Sequence, residues 1–351
     1  MNEKTHTYRR SRAAIILFVL LLIVLFVANL VVGSVNIPID EVMSILSGNG
    51  SSNEAWELIM LQSRVPMAVT AVLAGAALAV SGLLMQTTFN NPLAGPSILG
   101  VSTGASLGVA LVMLALGGEF GTLFGSTIGG YISILAGALA GAAVILALLI
   151  IFSSLVRGTT MLLIVGIMIS YLSSSVISLL NFFSTQEGVH SYVIWGLGNF
   201  SGVTTDSLPA FSIIIIAGMV WAMLMAKPLN ALLLGTRYAE NLGVNIRRTR
   251  NELLLITGIL TAAATAFCGP IAFVGLVVPH IARLLLNSSN HNILLPATVL
   301  AGADIALLCQ LISVLPASSI GIIPINAITP AIGVPVIIYI ILNREKIQYF
   351  N

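Results

Sequence analysis

The sequence predicts an all-α integral membrane protein with ten transmembrane helices and both ends cytoplasmic. Three observations carry this expectation. Of 351 residues, 58% are hydrophobic and only 7% charged, whereas charged residues supply about a quarter of ordinary globular chains. The chain divides into uncharged runs, each long enough to cross about 30 Å of hydrocarbon. The basic residues between those runs fall on alternate sides in a way that fixes one orientation.

Taken in order, residues 13–32 form the first run. It is too long for a signal-peptide core and lacks a small-x-small cleavage site, so it reads as a retained helix. Runs at 66–85, 97–116, 126–155, 159–183 and 207–226 follow. Residues 253–282 are one uncharged stretch broken at Gly269-Pro270, which reads as two spans. The run at 294–315 carries a single charge, Asp304, and 320–342 carries none. With the N-terminus inside, Lys4, Arg9, Arg10, Arg12, Arg157, Lys227, Arg237, Arg247, Arg248, Arg250, Arg283, Arg344 and Lys346 all lie on the inner side. Arg64 alone among the basic residues lies outside. The expected division is a cytoplasmic tail at 1–12, a membrane domain at 13–345 and a second cytoplasmic tail at 346–351. The location is the cell membrane, multi-pass.

The net charge of +2 serves topology and does not point to nucleic acid. Outside lie seven acids: Asp40, Glu41, Glu54, Glu57, Glu119, Glu187 and Asp206. Pro38 followed by Asp40 and Glu41 predicts a short outer helix over 40–46, with acids at its positive end. No outer segment is large enough to form a domain. Inside, 227–250 is the longest segment. Pro228 stops span six, and Leu229, Leu232, Leu233 and Leu234 precede Gly235. Tyr238, Ala239 and Leu242 then recur at helical spacing before Gly243. Two short amphipathic helices separated by Gly235-Thr236 fit this pattern. Either a helical loop lying on the membrane or a docking surface for a soluble partner accounts for them.

Span two is small on nearly every face, from Ala71, Ala74 and Gly75 through Ser81 and Gly82, so it belongs at the centre of the bundle. Small residues let helix backbones approach closely in lipid. Prolines at 92, 96, 270, 279, 324, 330 and 335 free carbonyls that protein or water must satisfy. The joint between spans two and three faintly echoes that between seven and eight, a hint of an internal repeat. Cys268 and Cys309 read as buried apolar thiols. His280 reads as a structural hydrogen-bonding group rather than a metal ligand. Asp304 is costly in lipid and marks either a proton or cation site or an internally satisfied acid. The sequence has no CxxC, no HExxH and no GxxxxGK[ST], hence no visible ATP-binding or hydrolytic motif of its own.

Four stretches, read together, resemble the iron-chelate and cobalamin importer permeases, the membrane subunits of type II ABC uptake systems. The first is Arg64-Val-Pro-Met67 leading into Gly75-Ala-Ala-Leu-Ala-Val-Ser-Gly82 and Met85-Gln86. The second is Asn91-Pro-Leu-Ala-Gly-Pro96 with Leu99-Gly-Val-Ser-Thr-Gly104. The third runs from Leu234-Gly235 through Ala239 to Leu242-Gly-Val244. The fourth is Gly269-Pro-Ile-Ala-Phe-Val-Gly-Leu-Val-Val-Pro-His280-Ile-Ala-Arg283. The closing Ile332-Gly-Val-Pro335 resembles that family's last-helix motif. Glycine strings are weak singly; their order and spacing over residues 13–345 are specific.

The resemblance implies a ten-helix type II ABC importer permease fold with no cofactor and no bond chemistry of its own. It implies as partners a second permease subunit (the same chain or a sister), two cytoplasmic ATP-binding subunits and an extracytoplasmic substrate-binding protein. It matches Leu234, Gly235, Arg237, Ala239, Leu242 and Gly243 to the coupling helices, within 227–250, that seat on the ATPases. Thr159 and Thr160 match a cytoplasmic gate, and are otherwise hydroxyls at a helix start. Arg64 matches an outer arginine that docks the binding protein, and is otherwise an interfacial anchor. The chain departs from the family pattern at Met67 and Val314, where basic residues are usual, and at Gln310, where an acid is usual. It departs again at Ile322-Ile-Pro-Ile-Asn326, where Glu-x-Pro-x-Gly is usual. An iron–siderophore complex is the expected cargo, with haem or cobalamin as alternatives inside the family. An ion-coupled secondary transporter using Asp304 is the alternative from another class.

Overall fold

The computed structural model describes residues 2–115, 127–156, 158–315 and 321–342. The expected outer turns near 117–125 and 316–320, Glu119, Arg157, Arg344, Lys346 and the tail 346–351 lie outside the described residues. Helix follows helix, with no strand among the described residues. α1 spans Asn2–Val31, so the segment expected as an inner tail is mostly the first turns of a helix. α2 (Ile39–Leu46) and α3 (Glu54–Ile59) lie between the first two spans. α3 continues through a π-turn, Met60–Arg64, into α4 (Val65–Thr88). A 3₁₀ turn, Pro96–Leu99, leads to α5 (Val101–Ala110), which a second π-turn, Leu111–Ala115, prolongs.

The chain goes on through α6 (Thr127–Leu155), α7 (Thr159–Phe183), α8 (Gln186–Gly196) and α9 (Leu208–Leu224). Next come α10 (Ala226–Leu233), α11 (Thr236–Asn241) and α12 (Ile246–Cys268). α13 (Val274–Leu286), α14 (His291–Val314) and α15 (Ile325–Leu342) complete it. Among the described residues, six segments are long and apolar enough to cross a membrane: Arg10–Val31, Glu54–Thr88, Gly130–Leu155, Thr160–Phe183, Ile246–Cys268 and His291–Val314. α9 and α10 meet at a 50° bend, and Val101–Ala115, Val274–Leu286 and Ile325–Ile340 are shorter apolar helices on the remaining expected runs. The first two of these begin at breaks, where Gly100 (φ 81°) and Phe273 (φ 67°) turn the chain through left-handed conformations.

α4 is buried along nearly its whole length and packs on α9, α12, α13 and α14. Its glycines explain why it sits there. A methyl group on Gly82 would lie 1.6 Å from the Gly275 carbonyl oxygen, and one on Gly75 2.3 Å from that of Gly302. Backbone therefore meets backbone, the contact that substitutes for hydrophobic force inside lipid. α5 and α6 are joined in the same way through Gly108 and Gly137.

Arginines close the ends of three helices. The last carbonyls of an α-helix lack intrahelical donors and carry partial negative charge. Arg10 donates to Leu285 O (3.2 Å) and Leu284 O (3.1 Å) at the end of α13. Arg247 donates to Ser154 O (3.2 Å), and Arg250 to Ser153 O, at the end of α6. Arg64 does the same for α1, so residues expected to set topology also finish helices.

Candidate functional site

The segment between α9 and α12 forms an elbow of two short helices, α10 and α11, as the Gly235-Thr236 break predicts. Gly235 (φ 95°) and Gly243 (φ 84°) have left-handed backbones with open space around them, so their conformation, not crowding, demands glycine. Ala239 is fully buried beneath the elbow, whereas Leu234, Tyr238 and Leu242 are 59%, 55% and 58% exposed. Arg237 and Glu240 are exposed beside them. An apolar tip with a charged rim, standing on a covered small residue, has the form of a contact surface.

Behind the tip, Leu229 is fully buried and Asn230 tethers α10 to the bundle. Asn230 Oδ1 accepts from the His291 backbone N–H (2.8 Å) and faces His291 Nδ1 at 3.0 Å. The other ring nitrogen, Nε2, lies 2.9 Å from Thr87 Oγ1 at the end of α4. Next to it, Arg283 Nη1 donates to Gln86 Oε1 (2.6 Å), and Gln86 Nε2 donates to Leu276 O (3.1 Å). His280 Nε2 lies 2.8 Å from Pro92 O; a carbonyl only accepts, so this nitrogen carries the proton and the ring serves as a structural donor.

At the other end, Arg64 is not the exposed cation expected from its isolation in the sequence. It is 4% exposed, and its guanidinium donates to Leu30 O (2.5 Å), Val31 O (2.8 Å) and Val35 O. The physical cause is the unsatisfied C-terminus of α1, which draws a donor fork from the π-turn. Thr159 and Thr160 are the first residues of α7, after Gly158 (φ 113°), with Thr160 exposed. Asp304 is buried in α14, and neither carboxylate oxygen has a hydrogen-bond partner among the described residues.

The joints at 91–96 and 269–273 face one another. Gly95–Ile98 and Ile271–Phe273, with Gly275 and Leu276, line a cavity of about 120 Å³. Asn326 fastens the second joint: its Nδ2 donates to Pro270 O (2.5 Å) and Gly196 O (3.0 Å), and its Oδ1 accepts from Ala272 N–H (3.2 Å). A departure from the family pattern thus has a structural task. Sequence reasoning missed the Asn230–His291–Thr87 chain; the only local signal was Asn290, which caps α14 through Asn292 N–H.

A family model described as the FecCD transport family matches residues 21–343. The chain is 36% identical over 338 residues to the vitamin B12 import system permease protein BtuC of Klebsiella pneumoniae subsp. pneumoniae, covering 96% of each. It is 37% identical over 292 residues to the BtuC of Salmonella typhi, covering 83% of this chain and 85% of that one. A solved structure reported as an inward-facing conformation of a metal-chelate type ABC transporter superposes with a TM-score of 0.79 at 29% identity. It covers 94% of this chain and 98% of its own.

Proposed function

This chain belongs to the FecCD transport family as a permease subunit of an ABC importer, and from that premise we propose that it conducts an iron–siderophore complex across the cell membrane. ATP hydrolysis falls to a separate subunit. The proposed assembly has ten spans per permease, with both ends cytoplasmic. It joins two permeases (two copies or a sister pair), two ATP-binding subunits on the inner face and an extracytoplasmic binding protein outside. Cobalamin is the second reading of the cargo, favoured by the vitamin B12 permeases among the relatives.

One observation carries the coupling reading: the elbow tip of Leu234, Tyr238 and Leu242 is exposed over a buried Ala239. Apolar side chains in that position find cover in a cleft of the ATPase, with Gly235 and Gly243 setting the bend and Arg237 at the rim. ATP-driven closure then moves the elbow as a rigid body. Thr159 and Thr160 stand at the inner end of α7, where the gate between permeases is proposed. Arg64 serves the outer dock by holding the α1–α2 corner in shape rather than by offering a free cation.

The test is reconstitution in proteoliposomes with the ATPase subunit and binding protein. Uptake of a labelled ferric siderophore should require ATP, survive an uncoupler and vanish in Leu234→Asp together with ATPase binding. Uptake by this chain alone, abolished in Asp304→Asn, would instead establish ion-coupled transport. Uptake of labelled cobalamin in preference to the ferric complex selects the second cargo.

A further inference from the structure

We propose that His291 is the pin through which the elbow drives the bundle, a positioning residue that locks α10 to the inner ends of both α4 and α14. The proposal rests on the reading of 227–250 as the ATPase-coupling elbow and adds the route by which its motion leaves it.

Hydrogen-bond directions can be assigned along the chain one group at a time. The Asn292 N–H is a donor, so Asn290 presents its Oδ1 to it (3.0 Å). Asn230 must then offer Nδ2 to that same oxygen (3.0 Å), which turns Asn230 Oδ1 towards His291. An oxygen there accepts, so the ring holds its proton on Nδ1, and the neutral Nε2 accepts from Thr87 Oγ1–H (2.9 Å). The polar capacity of the ring is thereby fully used, with His291 0% and Thr87 4% exposed. Where the network is buried, at His291 and Thr87, it favours one geometry, because turning the ring away leaves a buried nitrogen or hydroxyl unpaired.

The location matters as much as the bonds. Of the elbow's two covalent links to the bundle, the one from α9 passes a 50° bend and the other runs through residues 242–245 into α12; neither joins it to α4 or α14. Asn230 instead ties α10 across to the first residue of α14 and, through one imidazole, to the last turn of α4. α4 and α14 are closely packed partners. Force applied at Leu234, Tyr238 and Leu242 therefore reaches the central helices directly, one turn away from the contact surface.

The experiment uses the full importer in proteoliposomes and reads ATP hydrolysed per cargo molecule delivered. With His291→Ala and Asn230→Ala, the ATPase subunit should still co-purify and hydrolyse ATP, while that ratio rises on the order of tenfold. His291→Asn, which keeps a donor at the Nδ1 position, should recover part of the coupling. A role confined to folding would lower assembly and leave the ratio unchanged in the molecules that assemble. An unchanged ratio in His291→Ala, or in Asn230→Ala should the first fail to assemble, overturns the proposal. If wild-type elbow binds no ATPase subunit, or Leu234→Asp binds it normally, the coupling reading itself fails.

Discussion

Gln310 Nε2 sits 3.0 Å from Met67 Sδ, across the seam between α14 and α4. These are two of the positions at which the chain departs from the charged pattern of the family it resembles. Their contact links the two departures: an uncharged amide–thioether pair stands where the resemblance implies a basic and an acidic residue. Losing one member of a buried ion pair costs about 3–5 kcal/mol, while replacing both with well-packed neutral groups is often nearly free. Met67→Arg and Gln310→Asp should therefore each destabilise the protein, and the double variant should recover most of the loss. A coupling of about 1–3 kcal/mol is expected, read from thermal unfolding in detergent. Simple addition of the two losses would mean that the positions do not share an environment.

Arg64 places a charged fork on two carbonyls at the end of α1 and on Val35 O in the loop beyond it, and a hydrogen bond to a charged group contributes about 1.5–3 kcal/mol. Arg64→Ala should lower the unfolding temperature clearly. The informative variant is Arg64→Lys, which keeps the charge but not the fork. It should lose most of the same stability. Full stability in the lysine variant would return Arg64 to the role of a simple cation.

Gly82→Ala inserts a methyl group 1.6 Å from the Gly275 carbonyl oxygen, whereas the same change at Gly196 meets open space. Overpacking in a close core costs roughly 1–3 kcal/mol or more. Gly82→Ala should reduce the yield of folded protein in membranes sharply, and Gly196→Ala should leave it within experimental scatter. Equal yields would contradict the α4–α13 contact.

Glu41 accepts from the Ser52 hydroxyl, from the Ser51 hydroxyl (2.7 Å) and from Ser52 N–H (3.2 Å). The Ser52 and Ser51 hydroxyls hold its carboxyl below the ordinary value of 4.5. A depressed folded pKa gives a stabilisation present in full above the unfolded value and lost as pH falls through the folded one. Hydrogen exchange at the Ser52 amide should stay protected at pH 4.5 and rise only below it. In Glu41→Gln the profile should lose this acidic step. Protection that already fails above pH 4.5 would remove the carboxylate from the loop.

Much of the architecture was legible because lipid leaves few alternatives. Uncharged runs located the helices, the small faces of span two put α4 at the centre, and Pro38 with Asp40 and Glu41 located α2. Gly235 and the Gly269-Pro270 break located the elbow and the second joint. What escaped the sequence depends on distant partners. Arg64 is claimed by carbonyls 29 to 34 residues away, which a topology rule does not see. His291 joins Asn230, 61 residues back, to Thr87, 204 residues back. The helix start escaped the sequence because charge ended the apolar run at residue 13 while helical backbone continued back to Asn2.

The glycine contacts of α4 restrict how access can alternate. With Gly75 packed on Gly302 and Gly82 on Gly275, α4 meets both neighbours backbone to backbone, and no side chain lies between them to give. Such close seams favour α4, α13 and α14 travelling together as one keel. Opening and shutting of the conduit is left to the surfaces this keel carries with it and to the looser helices beyond.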